Sequence, residues 1–283
     1  MANIKKRLDC NVPGDFFVDA SCIDCDICRE IAPSIFGDGK GTACVVKQPQ
    51  EQEEREKALM ALLSCPVSAI GTLKKEGIRQ VIEKFPIQIE DGVYRCGLSS
   101  RKSYGAMSYF VLHPEGNWMI DSPRENAHLL RNIKKLGGIK YIFLTHEDDV
   151  ADAEFYAKAF SAKVIIHEKD AHAYPHADII LSGDQPVSIG EFTLIPTPGH
   201  TAGHTVALYR NFLFTGDHLW YSPSKKSLHA SKEYCWYSWE EQIRSLEKLL
   251  HFRFEWILPG HGRSVKMKEE DIKRQIKELI KRV

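Results

Sequence analysis

The sequence predicts an α+β protein in two parts: a small cysteine-rich domain over residues 1–77, then sheet covered by helices over residues 78–283. Three observations predict it. Three cysteines stand at triplet spacing in Cys22-Ile-Asp-Cys25-Asp-Ile-Cys28 and are answered downstream by Cys65-Pro66. From Pro86 onward, short apolar runs alternate with amphipathic ones. Several of those apolar runs end, through a small turn residue, in a histidine or an aspartate.

In the first part, Ala43–Val45 and the two residues after it form a brief strand. Residues 50–64 form a helix that follows Pro49. Glu51, Glu53 and Glu54 suit the positive end of its dipole, and Leu59, Leu62 and Leu63 share one face. This helix delivers Cys65. Residues 71–85 are charged and mixed, which places a linker near residues 74–77. In the second part, residues 108–112 and 118–121 make a hairpin. Ser122-Pro123 with Glu125 reads as a helix start; Leu129, Leu130, Ile133 and Leu136 supply its stripe and Gly137-Gly138 its stop. Strands follow at 141–144, 163–167, 192–196, 205–209, 212–215 and 256–258, with a helix over 151–160. A helix capped by Ser238 and Glu241 comes next. The last starts near Lys268 and places Ile272, Ile276, Leu279, Ile280 and Val283 on one face.

The totals exclude some classes. The chain has 283 residues, 43% of them hydrophobic, with 38 basic and 38 acidic side chains. A zero formal charge argues against a general nucleic-acid binder and a polybasic membrane protein. Residues 1–9 carry no secretory pattern and no run reaches the ~20 apolar residues of a membrane span, so a cytoplasmic protein is expected. Cys10, Cys44, Cys96 and Cys235 stand singly and read as buried or free thiols.

Cys22, Cys25, Cys28 and Cys65 form a soft tetrahedral thiolate set of the kind that holds an iron–sulfur cluster. Two intervening residues let successive thiolates of one loop reach adjacent corners of a small cube. The proline after Cys65 stops that backbone continuing as helix. A structural zinc ion would use the same ligand types.

The second constellation comprises His146–Asp152 in Thr-His-Glu-Asp-Asp-Val-Ala-Asp, His200 in Thr-Pro-Gly-His-Thr-Ala-Gly-His, Asp217 in Phe-Thr-Gly-Asp-His, and His261 in Leu-Pro-Gly-His-Gly. A rigid strand followed by a small residue and then a ligand is how a sheet rim holds a metal. Gly199, Gly216 and Gly260 each precede a candidate ligand and let the backbone come close.

On these motifs the chain from about Pro86 resembles the metallo-β-lactamase-fold superfamily of metallo-hydrolases and oxidoreductases. Its first ~75 residues resemble single-cluster [4Fe-4S] ferredoxins. The resemblance implies an αββα sandwich. It implies that His146 and His200 bind a first metal, Asp217 bridges, and Asp152 and His261 bind a second. His204 matches a packing histidine. The family pattern is His-x-His-x-Asp-His. Here Asp148 replaces the second histidine, the Asp-His pair is found only two residues late at Asp152, and its histidine is Ala153. Asp148 or Asp149 then binds the first metal, or both orient imidazoles. Asp148 and Asp152 are the candidate catalytic carboxylates.

Replacing imidazole by carboxylate hardens the site toward iron or manganese relative to zinc. His146, His200 and Asp217 form a two-histidine, one-carboxylate set typical of non-haem iron. The expected function is therefore a redox metalloenzyme. In it the [4Fe-4S] domain exchanges electrons with one or two iron ions acting on a small substrate such as dioxygen, in concert with a redox partner protein. One alternative is a hydrolase of an ester, thioester or phosphodiester with a structural or sensing cluster. Another is a non-catalytic redox switch with a degenerate metal site. Fold alone does not choose among them.

Other residues read as structural. His167 is taken as a hydrogen-bonded core histidine and His172 and His176 as solvent-exposed; His218 is a candidate outer neighbour of the metal. The aromatic run Tyr234–Trp239 serves either packing or a pocket wall, and Asp24 and Asp26 keep the cysteine loop acidic. Substituting Cys25→Ala should bleach the cluster's visible absorption while circular dichroism shows the second part still folded. General unfolding would make the cluster a staple and not a carrier.

Overall fold

In the computed structural model, residues 2–282 are described; Met1 of the leader reading and Val283 of the last helix's apolar face lie outside them. The chain forms two compact units. One comprises residues up to Ile139 with Ala151–Phe160; the other comprises Lys140–Val150 and the chain from Ser161.

The first unit opens with the cysteine-bearing segment. Phe16–Val18 pairs antiparallel with Ile70–Thr72, and Phe36–Asp38 with Ala43–Val45. The helix Gln52–Ser64 begins two residues later than its composition suggests, with Glu51 at its N-cap, and Cys65 is its C-cap. Residues 74–77, where the linker is expected, form a turn between the strand Ile70–Thr72 and the helix Ile78–Ile82. Cys10 and Cys44 are joined in a disulfide, with Cα atoms 5.9 Å apart, and so are not the free thiols expected. They lie 34 residues apart, and only folding brings them within bridging distance.

An antiparallel meander follows: Ile87–Glu90, Val93–Arg95, Tyr109–Val111 and Trp118–Ile120. The next helix is Ala127–Lys135 and not one started at Ser122. Asn126 is the true cap: its side chain accepts from the backbone N–H of His128 and Leu129. Arg124 is drawn instead toward the cysteine segment, where Nη2 donates to Leu63 O (2.5 Å) and Nη1 to Cys65 O (3.1 Å). Leu129 and Ile133 are buried, as their spacing requires.

In the second unit Tyr141–Phe143, Lys163–His167 and Ile179–Leu181 run parallel. A six-stranded sheet comprises Val187–Ile189, Phe192–Pro196, Thr205–Tyr209, Phe212–Gly216, Trp256–Pro259 and Val265–Lys266 in that spatial order. The helices Trp239–Leu249 and Glu269–Lys281 contribute Leu246, Leu249, Ile272, Ile276 and Leu279 to a core shared with Ile195, Val206, Leu213 and Ile257 of this sheet. Ser238 caps the first of them by accepting from Glu241 N–H. Phe212–Gly216 and Trp256–Pro259 run parallel, so both end at the same edge of the sheet. Among the described residues no helix is long and apolar enough to cross a membrane. Ile276→Ala should cost about 2–5 kcal/mol through lost burial and a residual cavity, read as a lower denaturant midpoint.

Candidate metal centre and cluster site

Cys22, Cys25, Cys28 and Cys65 line one small cavity, walled by apolar groups that include Val18, Ile27 and Ile70. The backbone N–H of Ala43 donates to Cys22 Sγ (3.3 Å) and that of Ala69 to Cys65 Sγ (3.2 Å). Such bonds to sulfur help set cluster potentials. Burial pushes the Cys25 thiol up to about 12 and raises Cys28 and Cys65 as well. Four thiols gathered in a dry pocket suit a cationic iron cluster, which takes them as thiolates. Asp24 and Asp26 adopt left-handed backbone, and both carboxylates pair with the buried Arg29. Their charge therefore shapes the cysteine loop. Tyr104 Oη donates to Ile23 O (2.9 Å), and a Cβ at Gly105 would stand 2.9 Å from Cys25 Sγ. The segment around residue 104 thus packs directly on the cluster loop.

The second site is built at strand ends. His146 follows Tyr141–Phe143, His200 follows Phe192–Pro196, Asp217 follows Phe212–Gly216, and His261 follows Trp256–Pro259. A register shift between Phe214 and Gly216 re-aims the chain as it reaches Asp217. Gly260 N–H donates to Gly216 O (2.8 Å), locking the two turns together. A side chain at Gly260 would meet Asp217 Oδ1 at 2.7 Å and Asp149 Oδ2 at 2.8 Å, so only glycine admits both carboxylates.

Asp217 Oδ2 has His200 Nε2 at 3.7 Å and His146 Nε2 and His261 Nε2 at 3.9 Å. Asp148 Oδ2 lies 3.2 Å from His200 Nε2 and 3.9 Å from His146 Nε2. Donor atoms sharing a tetrahedral ion at about 2.0–2.1 Å stand roughly 3.3 Å apart, so these spacings need only slight contraction. His146 Nδ1 meets Thr145 Oγ1 (2.9 Å) and His200 Nδ1 meets Tyr234 O (2.5 Å). The Tyr234 carbonyl assigns the His200 proton to Nδ1, and both contacts turn the Nε2 atoms toward the carboxylates. His146 Nε2 and Asp217 Oδ1 are buried with no hydrogen-bond partner. Two buried lone-pair atoms without a donor fit a bound cation.

Burial pushes His146 down to about 4, keeping it a neutral ligand. At His200 burial acts the same way but is outweighed by Asp148, so its pKa is raised. The His200 contact in turn holds Asp148 below the usual carboxylate range, with a hydrogen bond from Trp236 adding to the effect. Burial raises Asp217, yet the three imidazoles around it prevail and its pKa is lowered.

Ligand atoms gather as two groups, His146 with Asp148 and His200, and His146 with Asp149 and Asp217. Glu147–Asp149 is a 3₁₀ turn, in which successive side chains splay by about 120°. That geometry sends Asp148 and Asp149 to different groups, while Glu147 pairs with His172 (2.8 Å). Asp152, the expected second-metal ligand and catalytic carboxylate, is engaged elsewhere: Lys102 Nζ bonds its Oδ1, and Glu125 N–H donates to its Oδ2 (3.0 Å). Asp149, buried at 1% exposure, lies instead with His146 and Asp217. His204 stays outside both groups: its Nε2 accepts from Asp217 N–H (3.3 Å), its Nδ1 meets Thr197 Oγ1, and it stacks on His218. His167 Nε2 bonds Gly183 O, a purely local contact. Tyr234, Trp236 and Tyr237 are exposed beside the site, with the Trp236 ring 5.9 Å from that of His200.

A cysteine-lined cavity and a carboxylate–imidazole cluster at strand ends define an iron–sulfur metalloprotein with a second, divalent-metal centre. Residues 18–72 match the 4Fe-4S single cluster domain of ferredoxin I, and residues 104–261 match the metallo-beta-lactamase superfamily. The second match covers more than half of the chain, and the chain belongs to the metallo-β-lactamase superfamily. The fold agrees. The DIM-1 metallo-β-lactamase superposes with a TM-score of 0.55 at 18% identity, over 69% of this chain and 95% of that one. A metallo-β-lactamase from Pontibacter korlensis gives 0.53 at 20%, over 69% and 98%. Among curated proteins, a hydroxyacylglutathione hydrolase of Acidiphilium cryptum is 30% identical over 107 residues, 36% of this chain and 44% of that protein. One from Citrobacter koseri is 33% identical over 109 residues, 37% and 43%. The chain thus spans less than half the length of these relatives.

Asp149→Ala should release at least about tenfold more metal to a competing chelator than the wild type, whereas Asp152→Ala should not. Equilibrium dialysis of the two variants side by side checks this.

Proposed function

We propose that this protein is a metal-dependent hydrolase of acyl thioesters or related esters, with the [4Fe-4S] cluster accompanying the catalytic unit. The observation that carries the reading is the convergence of three imidazoles on Asp217, in a chain whose matched relatives are hydroxyacylglutathione hydrolases. The redox function expected from the fused cluster has less support, since those relatives favour the alternative. His146, His200 and Asp148 would hold one ion, and Asp149, Asp217 and His261 a second. Three carboxylates among six ligands favour iron or manganese over a site of softer donors. When bound, the metal supplies a hydroxide near neutral pH and polarises the substrate carbonyl.

The chain's own residues do the rest. The Tyr234 carbonyl holds His200 as the Nδ1–H tautomer, and Thr145 fixes the orientation of the His146 ring. Asp148, half exposed and ionised, would hold the ion with His146 and His200, and its remaining oxygen would accept a hydrogen bond from the nucleophile and orient it. Trp236 stands exposed at the rim, where its ring would contact an incoming acyl group. The substrate is a small molecule, and a redox partner protein exchanges electrons with the cluster.

Metal-loaded protein should hydrolyse an acyl thioester such as S-lactoylglutathione with release of thiol. His146→Ala should lower kcat/KM by at least about a hundredfold with the cluster's absorption intact. Reductant-driven oxygen uptake without thiol release would overturn the hydrolase reading in favour of the redox one.

A further inference from the structure

The two ligand-bearing loops of the metal centre share a buried anchor that no motif marks. Asp170 lies three residues beyond the strand Lys163–His167 and is 1% exposed. Its Oδ2 accepts from Glu147 N–H (3.2 Å) and from Thr201 Oγ1 (2.5 Å), and its Oδ1 accepts from Gly203 N–H (2.7 Å). Glu147 sits between His146 and Asp148, and Thr201 directly follows His200. Gly203 precedes His204, whose Nε2 receives the Asp217 N–H. A Cβ at Gly203 would stand 2.6 Å from Asp170 Cγ, so the loop carries glycine where the carboxylate lies against it.

We infer that Asp170 is the positioning residue of the metal centre, a carboxylate that clamps the His146 turn to the His200 loop and so fixes the angle between their two imidazoles. Those rings stand 4.8 Å apart and nearly perpendicular, at 87°. Both oxygens of Asp170 are committed to these three donors, so it acts through the ligands and not as one. An amide in its place matches the shape but presents NH₂ to at least one N–H or hydroxyl donor. Asn therefore fails where a mere space-filler would succeed. The inference rests on the metal centre proposed above and not on the reaction assigned to it.

Cobalt(II) substitution tests this without turnover. Asp170→Asn should weaken cobalt(II) by about 10–100-fold in chelator competition and shift the visible d–d bands, with circular dichroism and cluster absorption unchanged. Asp178→Asn is the control: Asp178 Oδ2 accepts from Val164 N–H (2.8 Å) on the same strand, away from the ligands, and its loss should leave cobalt binding as in wild type. If Asp170→Asn does not fold, Gly203→Ala pushes on the same contact from the other side and should give the same loss and spectral shift. Wild-type affinity and bands in Asp170→Asn, or equal losses in both Asn variants, would overturn the clamp. Wild-type protein that binds no cobalt(II) in this unit would overturn the clamp together with the metal centre. Cobalt binding without thioester cleavage would overturn only the hydrolase reading.

Discussion

Asp217 Oδ2 is the atom on which the second site depends. A buried carboxylate is costly unless cations or donors meet it, and here three imidazole nitrogens face it from three separate strand ends. Two of them are aimed by a second contact, through Thr145 at His146 and the Tyr234 carbonyl at His200. The sheet brings the two turns together because Phe212–Gly216 and Trp256–Pro259 run parallel and finish side by side. Backbone pairing thus decides where the charges sit, and the charges decide what the centre can bind.

Features that depend on local spacing were legible in the sequence. The triplet cysteines, the Ser238 cap and the strand-then-histidine pattern each rest on a few neighbouring residues, and they gave the fold class and most of the candidate ligands. What escaped depends on distance or on backbone rotation. The partner of Cys10 is 34 residues away. Asp149 reaches the His146 and Asp217 group because a 3₁₀ turn rotates consecutive acids to different sides, which residue spacing alone does not show. Asp170 carries no motif, since its function is to accept from backbone groups of two other loops. The start at Ser122 had good capping chemistry, but Arg124 is held by carbonyls of the cysteine segment and Asn126 takes over the cap.

Cluster and metal centre pose different chemical demands. The cysteine cavity is apolar and walled by aliphatic side chains, which suits electron storage away from water. The second centre is lined by ionised groups with exposed aromatics at its rim, which suits a polar reaction on a substrate arriving from solvent. Nothing in hydrolysis consumes an electron, so under the proposed hydrolase reading the cluster is not a reactant.

Arg124 extends this thought. Its guanidinium donates to the carbonyl of Cys65, itself a cluster ligand, from 59 positions downstream, and burial strips it of much of its water. A fixed positive charge in so dry a place favours whichever cluster state is more negative, because screening there is weak. In a cluster held by these four cysteines the extra electron would be easier to hold, and the reduction potential higher. Part of the voltage of the front cofactor is thereby set by the segment that follows it.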